Sequence, residues 1–421
     1  MKTDHLLAGI AVAVLAALPI NISGQPTSDA ALRQQMEDYG IRFTDDNHVT
    51  LLMSGQAKFD DMFAHIRQAK ESVHLEYFNF RNDSIASLLF DILREKRREG
   101  VEVRALFDGF GNDSNNQPLK KCHLTALRQD SVDIYEFDPI RFPWVNHIWP
   151  RDHRKIVVID GRIAYTGGMN VADYYVKGTE QVGSWRDMHC RIEGSAVGDL
   201  QHIFCRIWQE VTGEDIVKPK YFRQRPAGHA TVGIVNREPG VTRTADGHIF
   251  GCHDAMRKLY ISAIDNACDT LRLINPYFVL VPSLKHALER AIERGVYVEI
   301  MVSAKSDIPL TPDAVFYTVH KLMKRGAHVW LYKPGFHHSK ILMADGRYCT
   351  VGSANLDARS MRFDYEENAL ILDADVTRQL DDMFRRDTKD SFYLTPESWD
   401  DFRTPWQKFR GWFGHLLRPF L

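Results

Sequence analysis

The chain has 421 residues, more than one hydrophobic core usually holds, so two domains or two fused halves are expected. Hydrophobic residues make up 44% and charged residues 26%, a composition that excludes disordered and fibrous proteins. The formal net charge of −2 gives no support for a nucleic-acid-binding surface, which is usually basic. The six cysteines have no Cys-x-x-Cys spacing, which favours free thiols over a disulfide framework or a metal site.

The first element is an uncharged apolar run, Leu6 to Ile20. Its fifteen residues are short for a membrane-spanning helix, which needs about twenty, and suit the hydrophobic region of a signal peptide. Residues 1–25 are therefore predicted to be either a removed signal or a retained anchor. Both alternatives bring the chain to the membrane or its export machinery.

Residues 40–217 are predicted to form a first α/β lobe. The apolar pattern indicates strand, helix, strand, a helix closed by Gly100, and a further strand. The last three elements form a βαβ unit, so their strands should be parallel with a right-handed crossover. In chain order these elements are 49–55, 59–72, 73–80, 84–100 and 101–111.

The same lobe then carries His153, Lys155 and Asp160 within the stretch DHRKIVVIDGRIAYTGGMN. His153 and Lys155 are two residues apart on a predicted strand, so their side chains project to one face. The strand ends in Asp160-Gly161, a strong signal for a type I′ hairpin turn. Asp160 is therefore a turn residue first, whose carboxylate bonds backbone amides, and a catalytic role is the alternative.

The second half of the chain repeats this plan. Residues 218–247, rich in Pro and Gly, are predicted to link the first lobe to a second lobe at 248–395. Tyr277-Phe278 echoes Tyr77-Phe78 at an offset of 200 residues. The prediction is two similar α/β lobes, each a mixed, mostly parallel sheet flanked by helices, related by a pseudo-twofold axis.

The polar triplet recurs 185 residues later as His338, Lys340 and Asp345. Chance does not explain seven identities in one register, so the chain carries a duplicated site. The neighbouring His337 should point to the opposite face of its strand and is excluded. The other identities pair Gly161 with Gly346, Arg162 with Arg347, Gly167 with Gly352, and Asn170 with Asn355.

An imidazole beside an ammonium group suits an anionic substrate, since Lys holds a phosphate oxygen while His attacks or transfers a proton. If the lobes meet about a pseudo-dyad, His153 and His338 approach one phosphorus from opposite sides. One histidine would form a phosphohistidine and the other would protonate the leaving alkoxide, and which is the nucleophile stays open. Lys155 and Lys340 would replace the metal that phosphoryl transfer often uses, so we expect no metal and no cofactor.

The strands that return from the two hairpins end in small residues followed by asparagine. Small residues permit close backbone approach, and an asparagine amide can donate to a phosphoryl oxygen. Each half also offers a carboxylate that could fix a histidine tautomer. The candidates for the phosphate are Asn170, Asn355 and Ser353, and those for orienting the histidines are Asp187 and Glu366.

From about Val49 onwards the chain resembles the phospholipase D superfamily, which carries two His-x-Lys-x4-Asp motifs followed by small residues and asparagine. It looks most like bacterial members that join two phosphatidylglycerol molecules into cardiolipin and release glycerol. The stretches that carry the resemblance are NHIWPRDHRKIVVIDG, TGGMN, SWRDMHCRIEG, NPYFVLVPS, FHHSKILMAD and GSANLDARS. The resemblance implies His153 and His338 as the catalytic pair, Lys155, Lys340, Asn170 and Asn355 at the phosphate, and Asp187 and Glu366 as orienting carboxylates.

The C-terminal segment 396–421 is predicted to be a basic amphipathic tail. Residues 402–421 contain four basic and no acidic residues, a pattern suited to an anionic lipid surface. Packing of the apolar stripe on the protein itself is the alternative. The stripe comprises Trp406, Phe409, Trp412, Phe413, Leu416, Leu417 and Phe420.

Together these features predict a phosphatidyltransferase associated with a bacterial-type cell membrane, with phosphatidylglycerol and the anionic membrane surface as partners. A phospholipase D-type hydrolase and a transferase for another alcohol stay open, because acceptor choice lies in the shape of the pocket. A nucleic-acid phosphodiesterase is opposed by the near-neutral charge and the aromatic tail. A non-enzymatic lipid-binding or scaffold protein is opposed by intact His-Lys pairs in both halves.

Overall fold

The computed structural model describes residues 28–141, 149–243, 249–308 and 311–416, so the apolar run 6–20 lies outside the described residues. The strands are β1 Phe43–Leu52, β2 Ser72–Tyr77, β3 Glu102–Asp108, β4 Asp133–Phe137, β5 Ile156–Ile159, β6 Ile163–Gly167, β7 Ser184–Arg186, β8 His189–Glu193, β9 Ala230–Arg237, β10 Val241–Arg243, β11 Ile249–Cys252, β12 Thr270–Ile274, β13 Tyr297–Ser303, β14 His328–Tyr332, β15 Gly335–His337, β16 Ile341–Ala344, β17 Tyr348–Gly352, β18 Glu366–Leu372 and β19 Ser391–Leu394. The helices are α1 Ser28–Asp38, α2 Gly55–Gln68, α3 Ser84–Arg98, α4 Gly109–Asp113, α5 Lys121–Gln129, α6 Tyr174–Lys177, α7 Val197–Thr212, α8 Ala255–Asn266, α9 Pro282–Glu293, α10 Thr311–Met323, α11 Ala358–Arg362, α12 Ala374–Lys389, α13 Pro396–Phe402 and α14 Pro405–Leu416.

The order of the strands shows the predicted repeat. Outward from the centre, one side reads β1-β8-β6-β5-β2-β3-β4 and the other reads β9-β18-β17-β16-β12-β13-β14-β19. Each strand on the first side has a counterpart on the second, and β19 is an addition at the far edge. The prediction of two similar α/β lobes is therefore confirmed.

Strand β1 joins the two lobes. Its first half pairs antiparallel with β9, and its second half, from His48 to Leu52, pairs antiparallel with β8. The ladder to β9 has an irregularity between Thr44 and Asn47, where the strand passes from one partner to the other. An antiparallel β1–β9 pair at the centre is the arrangement that a pseudo-twofold axis requires.

Within the large sheet, parallel pairing is confined to β2-β3-β4 and β12-β13-β14. These are the predicted βαβ crossovers and their extensions. The pairs between the other neighbours in the large sheet are antiparallel, because hairpins and short returns connect β5, β6 and β8 and their counterparts. The sheets are thus mixed, as predicted, but less parallel than expected.

The apolar runs of β5 and β16 are buried on both faces. In β5, Val157 and Ile159 pack with residues of α2 and α3, whereas Ile156 and Val158 enter a cluster shared with the second lobe. In β16, Ile341 and Met343 enter the same shared cluster. Continuous rather than alternating hydrophobicity follows from this two-sided burial. The lobes therefore meet through an apolar core.

Two segments differ from the predicted boundaries. The segment 218–247, predicted as a linker, contains β9, which lies in the centre of the sheet between β1 and β18. Pro and Gly on both sides of this strand caused it to be overlooked. Val73 of β2 pairs with Ile159, and Leu271 of β12 pairs with Ala344, the counterpart of Ile159 in the second lobe. Strands β2 and β12 therefore correspond at an offset of 198 residues. The predicted match of Tyr277 with Tyr77, at an offset of 200, is wrong by two residues.

In the part of the chain described here, no helix is both long and apolar enough to cross a membrane.

Candidate active site

Both triplets start just before a short strand and end in the hairpin turn that follows it. Asp160 and Gly161 have φ values of 53° and 62°, and Asp345 and Gly346 have 54° and 62°. Positive φ at both central residues is the geometry of the type I′ turn that Asp-Gly predicts.

The carboxylates of Asp160 and Asp345 bind backbone and do not line the cavity described below. Asp160 accepts hydrogen bonds from the amides of residues 70–72 at 2.7–3.2 Å, at the start of β2. Asp345 accepts from the amides of residues 268–270 at 2.8–2.9 Å, at the start of β12. Six residues of the chain, roughly 20 Å when extended, separate each aspartate from the histidine of its triplet. The geometry favours a structural role for both.

The two histidines, by contrast, converge on one cavity. His153 and His338 line a cavity of about 540 Å³ together with Asn170 and Asn355. The residues come from both lobes, so the cavity lies at the junction between them.

Each histidine is paired with a carboxylate from the opposite lobe. Nδ1 of His153 lies 3.0 Å from Oε1 of Glu366, and Nδ1 of His338 lies 2.7 Å from Oδ2 of Asp187. Both carboxylates are fully buried. Because Nδ1 faces a carboxylate in each case, it carries the proton, and Nε2 keeps its lone pair. Neither His153 nor His338 finds its carboxylate partner within its own lobe.

The pairing of each histidine with a carboxylate of the opposite lobe follows from main-chain hydrogen bonds between the lobes. β7 of the first lobe pairs in parallel with β15 of the second, and the amide of His338 donates to the carbonyl of Arg186 at 2.6 Å. In the other half, the amide of His153 donates to the carbonyl of Tyr365 at 3.0 Å. Each histidine is thus bonded to the residue directly before its carboxylate partner.

The carboxylates are held differently in the two halves. Glu366 accepts hydrogen bonds from the hydroxyls of Ser353 and, at 2.6 Å, Ser360. Asp187 accepts from the amide of Met188 at 2.7 Å, and Gly168 stands where the second lobe has Ser353. The Ser353 hydroxyl, predicted to bind the substrate phosphate, binds Glu366 instead, because the side chain is fully buried behind the carboxylate.

Burial lowers the pKa of both histidines, and the neighbouring lysines lower it further. The rings are therefore neutral at neutral pH. A neutral imidazole with its proton on Nδ1 presents an unprotonated Nε2, the form required for nucleophilic attack or for accepting a proton.

The lysines lie against the same histidines. Lys155 Nζ donates to the carbonyl oxygen of His153, and Lys340 Nζ donates to that of His338 at 2.6 Å. Lys340 Nζ also lies 2.9 Å from Nδ1 and 3.1 Å from Nε2 of the His338 ring. Burial is the main cause that lowers the pKa of Lys340 to about 8, with the nearby Lys155 contributing. Two ammonium groups close together in a buried site attract an anion such as a phosphodiester.

Asn170 and Asn355 occupy matching positions on the cavity wall. Both side chains are about 6% exposed, and neither Oδ1 atom has a hydrogen-bond partner among the described residues. Buried polar atoms are normally paired, so these two unpaired acceptors mark a part of the wall that is open to hydrogen-bond donors in the cavity.

Comparisons with known proteins identify the family of this chain. The family described as "Cardiolipin synthase, PLD-like domain" matches residues 62–208 and 260–388. A cardiolipin synthase of Oceanobacillus iheyensis is 34% identical over 90% of this chain and 76% of its own length. The chain belongs to this phospholipase D-like family. A cardiolipin synthase of Listeria welshimeri is 33% identical over 91% of this chain and 77% of its own, and a probable one of Bacillus subtilis is 34% identical over 83% and 68%.

A solved structure supports the fold assigned to the family member. Phosphatidylserine synthase of Haemophilus influenzae aligns with a TM-score of 0.70 at 15% identity, and the match covers 93% of this chain and all of that chain. At this identity the likeness concerns the fold alone.

The sequence did not reveal most of the cavity wall. The His338 ring is surrounded by Trp185, Tyr277 and Phe336, with ring centroids 5.3–5.9 Å away, whereas the His153 ring contacts Phe78. Trp185 lies two residues before Asp187 and could have been found from that proximity. Asp357 and Arg359 lie on the wall and within the stretch GSANLDARS, and the wall residues without a sequence signal include Tyr174, Tyr175, Asp307 and Asp364.

Among the residues with assigned positions, no group of three or more His, Cys, Asp or Glu side chains could hold a metal ion.

Proposed function

We propose that this family member is a cardiolipin synthase that transfers a phosphatidyl group from one phosphatidylglycerol molecule to another and releases glycerol. The observation that carries the proposal is the pair of crossed histidine–carboxylate contacts at one cavity. The names of the relatives support the same reaction.

In the first half-reaction, Nε2 of one histidine attacks the phosphorus of the donor lipid. The bond from phosphorus to the glycerol oxygen breaks, and a phosphohistidine carrying the diacylglycerol group forms. The negative charge of the bound phosphodiester raises the pKa of the other histidine, which takes up a proton from solvent on Nε2. The departing glycerol oxygen takes this proton and leaves as free glycerol.

In the second half-reaction, the histidine that gave its proton is neutral and acts as a base. It removes the proton from a hydroxyl of the second phosphatidylglycerol, whose oxygen attacks phosphorus. The phosphorus–nitrogen bond breaks, cardiolipin forms, and both histidines return to their starting protonation states. Because attack occurs twice in line, the configuration at phosphorus is retained.

The remaining residues bind and position the phosphodiester. Lys155 and Lys340 offset charge on the non-bridging oxygens, and the amides of Asn170 and Asn355 donate to them. Asp187 and Glu366 keep the histidine protons on Nδ1 and stabilise the imidazolium that each step forms.

The test is incubation of the full chain with phosphatidylglycerol vesicles in the presence of a chelator, followed by mass spectrometry of the lipids. We expect cardiolipin and glycerol in equal amounts. Phosphatidic acid without cardiolipin would identify a hydrolase, and loss of all turnover with chelator would contradict the role given to the lysines.

His153→Ala and His338→Ala should each lower cardiolipin formation at least 10⁴-fold, since each removes one partner of a two-histidine mechanism. His337→Ala is the matched control, because Nε2 of His337 lies 3.2 Å from Asp387 and its ring does not line the cavity. Near-normal turnover in either cavity variant would exclude the shared mechanism.

A further inference from the structure

The last described helix, α14, exposes a row of large apolar side chains. Trp406, Phe409, Trp412, Phe413 and Leu416 are each 45–65% exposed. At 100° per residue they lie within about 120° of the helix surface. The Phe409 ring lies 5.5 Å from that of Trp406 and 5.8 Å from that of Trp412, so the row is continuous.

The opposite face of α14 packs on α10 through glycines. A Cβ atom on Gly411 would lie 2.5 Å from the carbonyl oxygen of Asp313, and one on Gly414 would lie 3.2 Å from Cβ of Ala314. Amphipathic helices usually bury their large apolar residues. This helix buries its smallest residues instead, so the described part of the stripe does not pack on the protein itself. Leu417 and Phe420 lie outside the described residues.

The packing places the row beside the cavity. Asp313 of α10 binds Arg403 and, at 2.9 Å, Arg410 of α14. Thr311, the first residue of α10, lines the cavity together with Ile308. α14 therefore rests on the first turn of a helix whose start forms part of the cavity wall.

The charge of this segment identifies the kind of partner. Residues 402–421 carry four basic residues and no acidic one. Two of the four, Arg403 and Arg410, share the single carboxylate of Asp313, so the segment keeps a net positive charge. Tryptophan and phenylalanine beside basic residues are typical of helices that lie in the headgroup region of anionic bilayers.

We propose that α14 is a lipid-docking helix that lies in the plane of an anionic bilayer and brings the rim of the cavity onto the membrane surface. The inference rests on the proposed function for the identity of the substrate lipids. What is new is the surface of the protein through which the substrate lipids reach the cavity.

The test uses the full chain with vesicles of phosphatidylcholine, with and without phosphatidylglycerol, whose acyl chains carry bromine. Bromine quenches tryptophan emission at short range, so quenching at Trp406 and Trp412 reports their insertion even if another segment holds the chain to the vesicle. Their emission is obtained by subtracting that of Trp406→Phe/Trp412→Phe. We expect quenching of at least one half on vesicles with phosphatidylglycerol and markedly less on vesicles without it.

Turnover is then compared for Phe409→Ser/Phe413→Ser and a control, Leu88→Ser/Val217→Ser. The control removes two apolar side chains that are 44% and 53% exposed and lie outside α14 and the cavity wall. We expect the α14 variant to lose at least tenfold in cardiolipin formation on vesicles and less than twofold in detergent–lipid micelles, where substrate is dispersed. The control should lose less than twofold in both.

Three results would overturn the inference. They are absence of quenching in the wild-type protein, equal loss of turnover on vesicles and micelles, and a lipid-free dimer that the α14 substitutions convert to monomer. The last would make a second copy the occupant of the row. If the wild-type protein forms no cardiolipin but its α14 tryptophans are quenched, the proposed function fails while the docking surface stands.

Discussion

Asp187→Asn tests the crossed pairing because it removes one charge and leaves the shape of the site nearly unchanged. The side chain is fully buried, and its Oδ2 lies 2.7 Å from Nδ1 of His338. An asparagine that turns its NH2 group toward Nδ1 forces the histidine proton onto Nε2. His338 could then neither attack phosphorus nor accept a proton from the acceptor alcohol.

The expected loss can be worked from this contact. Two unit charges about 4 Å apart, at an effective dielectric constant of about 20, interact by about 4 kcal/mol. The imidazolium formed during transfer loses this stabilisation, which corresponds to about 10³ in rate. The wrong tautomer in a comparable histidine–carboxylate pair costs about 10⁴. We expect kcat to fall 10³- to 10⁴-fold with little change in KM.

The assay is cardiolipin formation on phosphatidylglycerol micelles, with thermal unfolding as the check on folding. Asp387→Asn is the matched control, since Asp387 faces the excluded His337 at 3.2 Å, and it should stay within tenfold of wild type. A folded Asp187→Asn protein that keeps more than a tenth of wild-type turnover would refute the orienting role.

Three further predictions concern neighbouring groups. Since the pKa of Lys340 is about 8 and its neutral form cannot offset phosphate charge, kcat/KM should fall above about pH 8, and Lys340→Arg should remove this basic limb from a pH profile. Burial raises the pKa of Glu367 to about 8, so between pH 4.5 and 8 the folded state keeps a proton that the unfolded state has released, and stability falls as pH rises. The free energy of unfolding of Glu367→Gln minus that of wild type, measured with urea, should therefore increase by about 3 kcal/mol from pH 4.5 to 7. Gly168→Ala would place Cβ 2.3 Å from Oδ1 of Asp187, so turnover should fall at least 100-fold, whereas Gly100→Ala, where no atom lies within 4 Å, should alter stability and leave turnover unchanged.

The lobes and the paired histidines could be predicted because the information is local and repeated. His-x-Lys on a strand and Asp-Gly at its end are short-range patterns, and a second copy in register removes the ambiguity of one. The central strand β9 was missed for the opposite reason, since the turn residues around it resemble a linker when only the local composition is considered.

The crossing of the carboxylates could not be predicted from the sequence. Glu366 lies 213 residues from His153, and Asp187 lies 151 residues from His338. Which carboxylate meets which histidine depends on the pairing of β7 with β15 across the lobes. Ser353 is a second example. The sequence places it near the site, but the partner of its hydroxyl depends on where Glu366 is buried in the folded protein.

The crossed pairs also restrict how a lipid can enter. If the lobes moved apart to admit substrate, both histidines would lose their carboxylates at once, and the shared apolar core would be exposed to water. A hinge motion of that kind would leave both histidines without their carboxylates for as long as the lobes were apart. Entry of a long-chain lipid over the rim of the cavity, with only its head group and phosphodiester reaching the histidines, would keep both histidine–carboxylate pairs and the apolar core intact.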